Sequence, residues 1–446
     1  MSNKKASKFS FYIETLGCPK NMADSRQLRT GLRRAGMRES GTPEEADVLI
    51  LNTCSFIREA QEETIDTAFE FLELKKTKQI QVGMVGCFPE RFDKAVKEEI
   101  PELDFSFGAR SFGTLATDIL SQLGIQSETH AGGHILSAGK TQGPWSYFRI
   151  ARGCSRNCAF CAIPVIRGKL TTFGASEYER QWEEEKFLSP RKIREAILVS
   201  QDTISQGMDG LREALDFFSQ KEEIRWVRLQ YLFPDRRMFD LLSLFDEYPK
   251  LVPYLDMPVQ HASDSVLQRM NRPGASSLFN EIFSAAIEKN PAMEIRTSLI
   301  TGFPGETEEE FSALVQFLET NPVHKLALFR YSHEAGTPAG DSLQDDVPEN
   351  IKIERINFLR NLHLEKRQPI REALRDTTEL VMLESFSGDD ALARRAVDSP
   401  DIDEILFVPK SSLPENLNPG DFFVAELHTP MEYDWLGDYA GPDPLG

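Results

Sequence analysis

The sequence predicts an α/β protein in three parts: an N-terminal α/β sheet domain, a central partial (β/α)6 barrel, and a small C-terminal β-barrel of OB-like character. Three observations carry this. Short β-rich runs, each followed by a charged helix-like stretch, recur over residues 8–135. Six strand-like runs, several separated by amphipathic stretches, recur over residues 141–370 and predict a parallel sheet. After residue 371 the pattern changes to short strands between Gly-Asp, Ser-Pro and Pro-Gly turn signals. A chain of 446 residues has room for roughly three domains, and the boundaries read as 1–140, 141–370 and 371–446.

In the first part, Phe9–Leu16, Val48–Thr53 and Ile80–Gly86 are the strand runs, and each leads into a cysteine: Cys18, Cys54 and Cys87. In open α/β sheets the ligand crevice lies beyond the carboxyl ends of the strands. Three thiols delivered there by three strands can converge on one point. The alternative is three unrelated core cysteines. A convergent set has three thiolates and one open coordination position.

In the second part the strand runs are Tyr147–Ile150, Ile197–Ser200, Trp226–Gln230, Tyr254–Met257, Glu294–Ile300 and Lys325–Phe329. Amphipathic stretches such as Glu308–Leu318 separate several of them. A partial barrel of this kind places its site at the carboxyl ends of the strands. The polar residues fall there: Gln201, Asp202 and Thr203 after the second strand, Gln260 and His261 after the fourth, and Gly302–Glu306 after the fifth. Singly, Gly302–Glu306 reads as a plain turn and Gln260 or His261 as a loop tie; together, at strand ends facing Cys154, they would form a pocket for a polar nucleoside and an amino acid.

Between the first two strands of this part lies Cys154-x3-Cys158-x2-Cys161. An iron–sulfur cube normally takes four cysteine ligands, so three in one loop leave one iron open to a small molecule. Zinc would close its site with four Cys/His ligands, typically in two pairs, and no histidine follows closely enough to complete such a set. With Gly153, Arg152 and Arg156 the loop reads as exposed rather than as core.

The net charge is −19 and the pI near 5.0, which excludes a protein that grips nucleic acid over a broad basic surface. Residues 129–176 break the trend: Lys140, Arg149, Arg152, Arg156, Arg167 and Lys169 face no Asp or Glu, a local charge of +6. These cations either solvate a loop or set a positive field around an anionic cluster, which would favour an acidic electron donor. The third part runs through Thr378–Leu383, Ala391–Val397, Ile405–Val408, Phe422–Leu427 and a short Tyr433–Leu436 run. It carries 5 Lys and Arg against 17 Asp and Glu, a net −12, which points to a cationic partner or a solvated surface. No apolar run approaches the roughly 18 residues of a membrane span. The N-terminus lacks the apolar core of a secretory signal, and six cysteines make no disulfide framework, so a reducing cytoplasm is expected.

The loop spacing, with Phe160 just before the third cysteine, resembles the radical S-adenosylmethionine (SAM) enzymes. Over nearly the whole length, the three N-terminal cysteines, the loop and the terminal barrel resemble the radical methylthiotransferases, whose last domain is termed TRAM. Within that group GCPKNMADS (17–25), IPVIRGK, SQDT, YLDMPVQHAS, RMNRPG, GFPGET and MEYDWLG resemble the branch that modifies ribosomal protein S12. The tRNA-modifying branch usually carries Gln-Met-Asn where this chain has Pro19-Lys20-Asn21. Two stretches depart from the family pattern: residues 170–196, and Ile204-Ser205-Gln206 after SQDT.

The resemblance implies that Cys154, Cys158 and Cys161 hold a 4Fe-4S cluster that chelates and reductively cleaves SAM. Phe160, Gln201, Asp202, Gln260, Gly302 and Glu306 would line the cofactor. It implies further that Cys18, Cys54 and Cys87 hold a second 4Fe-4S cluster carrying the sulfur, and that a second SAM donates the methyl group. The product would be a β-methylthiolated aspartate in ribosomal protein S12, with no side chain acting as a base on carbon. An acidic reductant such as a flavodoxin is the expected electron donor, with neither a membrane nor direct nucleic acid binding involved. Two other readings are a tRNA adenosine methylthiotransferase with the same cofactors, disfavoured by the acidic barrel and Pro19-Lys20-Asn21, and an iron–sulfur electron carrier, which leaves both open coordination positions without a purpose.

Overall fold

The structure is a computed structural model that describes residues 4–127, 143–188, 192–272 and 275–445. Lys140 of the basic window, Pro273 and Gly274 of RMNRPG, and 189–191 of the divergent stretch lie outside the described residues. The chain divides into two compact units. The first comprises Met1–Gln142, Tyr147–Arg156 and Cys161–Pro190; the second comprises Gly143–Ser146, Asn157–Phe160 and Arg191–Gly446.

The first unit is built on a five-stranded parallel sheet in the order Arg38–Glu39, Ser10–Thr15, Val48–Thr53, Gln81–Gly86, Phe105–Gly108. All six residues of Val48–Thr53 are buried, because a central parallel strand is covered on both faces. The period of two divides its side chains. Val48 and Ile50 join Leu28, Leu32, Leu115 and Ile119 of the helices Pro19–Arg34 and Leu115–Gln122. Leu49 and Leu51 join Ala68, Phe71, Leu72 and Val96 of the helices Arg58–Thr77 and Cys87–Glu99. The two outer strands were not evident from sequence; they are short, and Arg38–Glu39 is charged.

The divergent 170–196 stretch contains a helix, Ala175–Leu188, whose buried residues include Gln181, Glu184 and Glu185. Gln181 brackets one residue of the Trp145–Arg149 strand: its Oε1 accepts the Arg149 N–H at 2.9 Å and its Nε2 donates to the Arg149 carbonyl at 2.9 Å. Arg26 donates to the Tyr147 carbonyl at 2.7 Å and to Gln181 Oε1 at 3.0 Å. This helix is fixed by polar contacts as well as by Tyr178 and Trp182.

In the second unit, Glu195–Val199 pairs in parallel with Trp226–Leu229, and Tyr254–Asp256, Glu294–Thr301 and Lys325–Arg330 form a parallel three-stranded sheet. The strands carry the helices Met208–Ser219, Met238–Glu247, Ser276–Lys289 and Glu308–Thr320 between them, the alternation expected of a βα architecture. Glu308–Thr320 starts at a capping box in which Thr307 and Glu310 satisfy each other's backbone N–H.

Residues 378–442 form a closed five-stranded barrel in the order Thr378–Ser387, Asp390–Arg395, Leu406–Pro409, Trp435–Pro442, Phe422–Pro430. It encloses Val381, Leu383, Ala393, Phe423, Leu427 and Trp435. The barrel belongs to the second unit and is bonded into it. Phe422 packs edge-on against Trp226 with centroids 4.9 Å apart. Arg228 donates to the carbonyls of Ala396 and Asp398 at 2.7 and 2.8 Å, and Lys325 pairs with Asp398 at 3.1 Å. Among the described residues no helix is long and apolar enough to cross a membrane.

Candidate metal centres

Cys18, Cys54 and Cys87 all lie at the carboxyl ends of strands in the first unit. Cys18 is the residue before Pro19–Arg34, whose first position is proline, preset for a helix start. Cys54 follows Val48–Thr53 directly, and Cys87 opens Cys87–Glu99. Between the first strand and Cys18, Gly17 has φ +88°; a Cβ there would lie 2.7 Å from Cys54 Cβ and 3.0 Å from its Sγ. Cys54 and Cys87 are buried. Burial pushes the Cys54 thiol up to about 12, and the neighbouring thiols of Cys18 and Cys87 push the same way. Burial raises Cys87 as well, against the pull of Arg167. Without metal these two are therefore neutral thiols, and a metal that takes them as thiolates must displace their protons. Cys18 and Cys87 stand close enough to Cys54 to act on its thiol, and three soft thiols at one end of one sheet fit an iron–sulfur group.

The segment that carries Cys18 also carries its support. Asn21 Nδ2 donates to the carbonyls of Leu16 and Thr53 at 2.8 and 2.9 Å, tying two cysteine-bearing loops together. Asn52 Nδ2 donates to the Asn21 carbonyl and to Ser25 Oγ at 2.9 and 2.8 Å. Asp24, with a fully buried side chain, pairs with both Arg149 and Arg167. Burial opposes its ionisation, but these guanidiniums and Arg152 outweigh burial and hold it below the usual carboxylate range. Arg167 Nη2 reaches Asn21 Oδ1 at 2.7 Å and Cys87 Sγ at 3.2 Å. Residues 18, 21 and 25 recur at helical spacing on one face.

These contacts correct the reading of the basic window. Arg149 and Arg167 are buried, 4% and 5% exposed, and are matched to Asp24 rather than turned outward. Lys169 is exposed and Arg156 half-buried. The sequence counted the cations correctly, but their partner stands more than a hundred residues earlier in the chain.

The Cys154–Cys161 loop is divided between the units. In the first, Gly153 has φ +71° and a Cβ there would meet the Lys169 carbonyl oxygen at 2.2 Å; this tight crossing lets Cys154 N–H donate to the Gly168 carbonyl at 3.1 Å. The Sγ atoms of Cys154 and Cys161 accept the N–H of Arg156 and Ile163 at 3.4 and 3.5 Å. In the second, Arg272 Nη1 lies 3.6 Å from Cys158 Sγ, with its guanidinium 4.4 Å over the Phe233 ring. Asn271 Nδ2 donates to the Asn157 carbonyl at 2.8 Å, and Ala159 N–H to that of Met270 at 2.8 Å. Met270, Asn271 and Arg272 of the RMNRPG motif are thus the clamp on the middle of the loop. Phe160 packs against the cluster of Ile300, Phe303 and Tyr331. Contrary to an exposed loop, Cys154 and Cys158 are buried and Cys161 half-buried.

At the strand ends of the second unit, Gln201 Oε1 is buried without a hydrogen-bond partner. Asp202 caps a short turn through Ser205. Gln260 has φ +72° and bonds through its backbone to Ser298 and Ile300. Glu306 is occupied by protein: it accepts the Gly302 N–H at 2.9 Å, contacts His261 Nε2 at 3.2 Å and pairs with Arg355 at 2.6 Å. Its carboxylate therefore shapes the Gly302 turn. Of the expected pocket residues, Gln201 keeps an unspent polar atom.

Within the first unit the two cysteine sets are linked. Ala162, next to Cys161, and Ile166 share an apolar cluster with Cys87 and Ala109. The helix Ile163–Arg167 that follows the third loop cysteine thus rests on the third cysteine of the other set. Asp24 in the first unit and Arg272 in the second were not singled out from sequence, although each sits in a motif quoted for the family resemblance; Arg167 was read only as one of the basic window's cations and Asn21 only as part of Pro19-Lys20-Asn21.

Residues 10–108 match the model of the uncharacterized protein family UPF0004, and residues 148–318 that of the radical SAM superfamily. The ribosomal protein uS12 methylthiotransferase of Leptospira biflexa is 34% identical over 98% of this chain and 99% of its own length. That of Clostridium tetani is 34% identical over 96% and 98%. Among solved structures, a radical S-adenosylmethionine methyltransferase from Kitasatospora setae, with cobalamin and a [4Fe-4S] cluster bound, superposes with a TM-score of 0.54 at 12% identity, covering 74% of this chain and 76% of that one, a likeness of fold. A full-length match at this identity means that the chain belongs to the ribosomal protein uS12 methylthiotransferases, a family of radical SAM enzymes.

Proposed function

We propose that the protein transfers a methylthio group to the β-carbon of an aspartate in ribosomal protein S12, with two 4Fe-4S clusters and two molecules of SAM. The observation that carries this reading is the packing of Ala162 and Ile166 on Cys87: one short helix borders both cysteine sets. Cys154, Cys158 and Cys161 would hold one cluster and Cys18, Cys54 and Cys87 the other. Such clusters and SAM supply one-electron chemistry and a sulfur carrier; the protein supplies placement and electrostatics. Arg272 and the amides of Arg156 and Ile163 direct N–H groups at the loop sulfurs, and Arg167 does so at Cys87. Gln201, Asp202, Gln260, Gly302 and Phe160 would line SAM, a reading supported by the unpartnered Gln201 Oε1, with Glu306 holding the Gly302 turn.

The test is anaerobic reconstitution with iron, sulfide, SAM and reductant, followed by mass spectrometry of S12 and of tRNA. A methylthio group on one S12 aspartate is expected. Modification of tRNA adenosine with S12 untouched would overturn the reading in favour of the tRNA-modifying branch.

A further inference from the structure

Arg149 and Arg167 are buried and share one buried carboxylate, Asp24. The group thus carries one positive charge beyond what Asp24 neutralises. Burying an uncompensated charge is costly, so this excess calls for an anion on the far side. Arg167 names the direction. Its Nη1 is held by Asp24, while its Nη2 is aimed at Cys87 Sγ at 3.2 Å and braced by Asn21 Oδ1 at 2.7 Å. A fork fixed on one edge by a carboxylate and directed at a sulfur on the other is a charge-assisted donor to a thiolate. Arg152, half-buried, is also within the field of Asp24.

We infer that Arg167 is the positioning residue that sets the reduction potential of the group bound by Cys18, Cys54 and Cys87, with Asp24 as its counterweight. The inference rests on the reading that these cysteines hold an iron–sulfur cluster. Hydrogen bonds and net charge at the ligand sulfurs are established levers on cluster potential. A guanidinium on a ligand sulfur stabilises the more negative, reduced state and raises the potential; the Asp24 carboxylate lowers it. Arg167 lies six residues beyond Cys161, so the same short helix that follows the loop cysteines carries the control on the second site.

The experiment uses the full chain with Cys154, Cys158 and Cys161 replaced by Ala, reconstituted anaerobically so that only the N-terminal set holds iron, and titrated potentiometrically by electron paramagnetic resonance. Arg167→Gln is expected to shift the midpoint to more negative potential by about a tenfold change in the reduced-to-oxidised ratio, which is about 59 mV for one electron. Asp24→Asn is expected to shift it the other way. A merely structural role gives no such opposed pair. An unmoved midpoint in Arg167→Gln, or shifts of the same sign in both, overturns the inference. If Arg167→Gln loses its iron, Asp24→Asn decides alone: a midpoint unmoved or shifted to more negative potential there overturns the inference equally. Absence of iron from the parent with Arg167 intact would overturn the cluster reading of Cys18, Cys54 and Cys87, and the inference with it.

Discussion

Glu195 of the central parallel sheet and Arg394 of the terminal barrel form an ion pair in which neither side chain is exposed by more than 1%. Arg228 donates to the other Glu195 oxygen at 2.7 Å, and Arg394 also holds Glu384. A second set surrounds Asp398, with Arg395 at 2.8 Å and Lys325 at 3.1 Å. Part of the barrel's acidity is therefore internal. Glu384, Asp398 and Glu404 are buried, and the Asp403 side chain is 3% exposed beside Arg296. The net −12 of this segment overstates the negative charge it can offer a basic partner.

Replacing Arg394 by Met should accordingly destabilise the second unit by about 3–5 kcal/mol, the cost of leaving a buried partner uncompensated. The midpoint of urea unfolding, followed by tryptophan fluorescence, measures it. Removal of residues 371–446 should go further and leave the second unit poorly folded, because Glu195, Arg228 and Lys325 would lose their barrel partners together. A soluble truncated chain with unchanged unfolding behaviour would contradict this.

Gly17→Ala should empty the N-terminal site selectively. The added methyl would fall 2.7 Å from Cys54 Cβ at a positive φ, and a Cβ is fixed to its backbone and cannot swing aside. With roughly eight irons expected for two cubes, iron analysis should find about half. SAM cleavage in the presence of reductant should persist while methylthio transfer is lost.

Gln201→Leu should separate stability from function. A buried acceptor without a partner costs about 1–3 kcal/mol, so removing Gln201 Oε1 should leave the protein as stable or more so. If that atom receives a polar group of SAM, the KM for SAM should rise several-fold. Equal KM with raised stability would mean that the amide has no ligand.

His363 gives the fold an acid sensitivity of definite sign. Burial, aided by Arg367, lowers its pKa from 6.5 to about 4. The folded state thus keeps the ring neutral where the unfolded chain takes up a proton. Its contribution is fully present above about pH 6.5 and declines as pH falls towards 4. Unfolding midpoints at pH 7 and pH 5 should differ less in His363→Gln than in the parent chain.

Much of this architecture was legible in the sequence, because the runs that form strands are apolar and β-branched; Val48–Thr53 was read to the residue. Glu294–Thr301 and Lys325–Arg330 differ from their readings by one residue at the end. Glu195–Val199 starts two residues earlier than Ile197, since a glutamate at a strand start reads as a turn until its buried arginine partners are known. The placement of Cys18, Cys54 and Cys87 after three strands was legible, because each strand run leads straight into its cysteine. Their supports were not. Arg167 finds Asp24 across 143 residues and Cys87 across 80, and no local pattern encodes such pairings.

The amide of Gln181 stands where a neighbouring strand would, taking the N–H and C=O of Arg149 as a backbone partner does, while Arg26 takes the carbonyl of Tyr147. Unpaired strand edges are templates for association with other chains. Here the N–H and C=O of Arg149 and the C=O of Tyr147 are already spent on side chains of the same molecule. A helix thus guards this stretch of strand against self-recruitment without contributing a strand, and a carboxylate at position 181 could not donate the second of the two bonds.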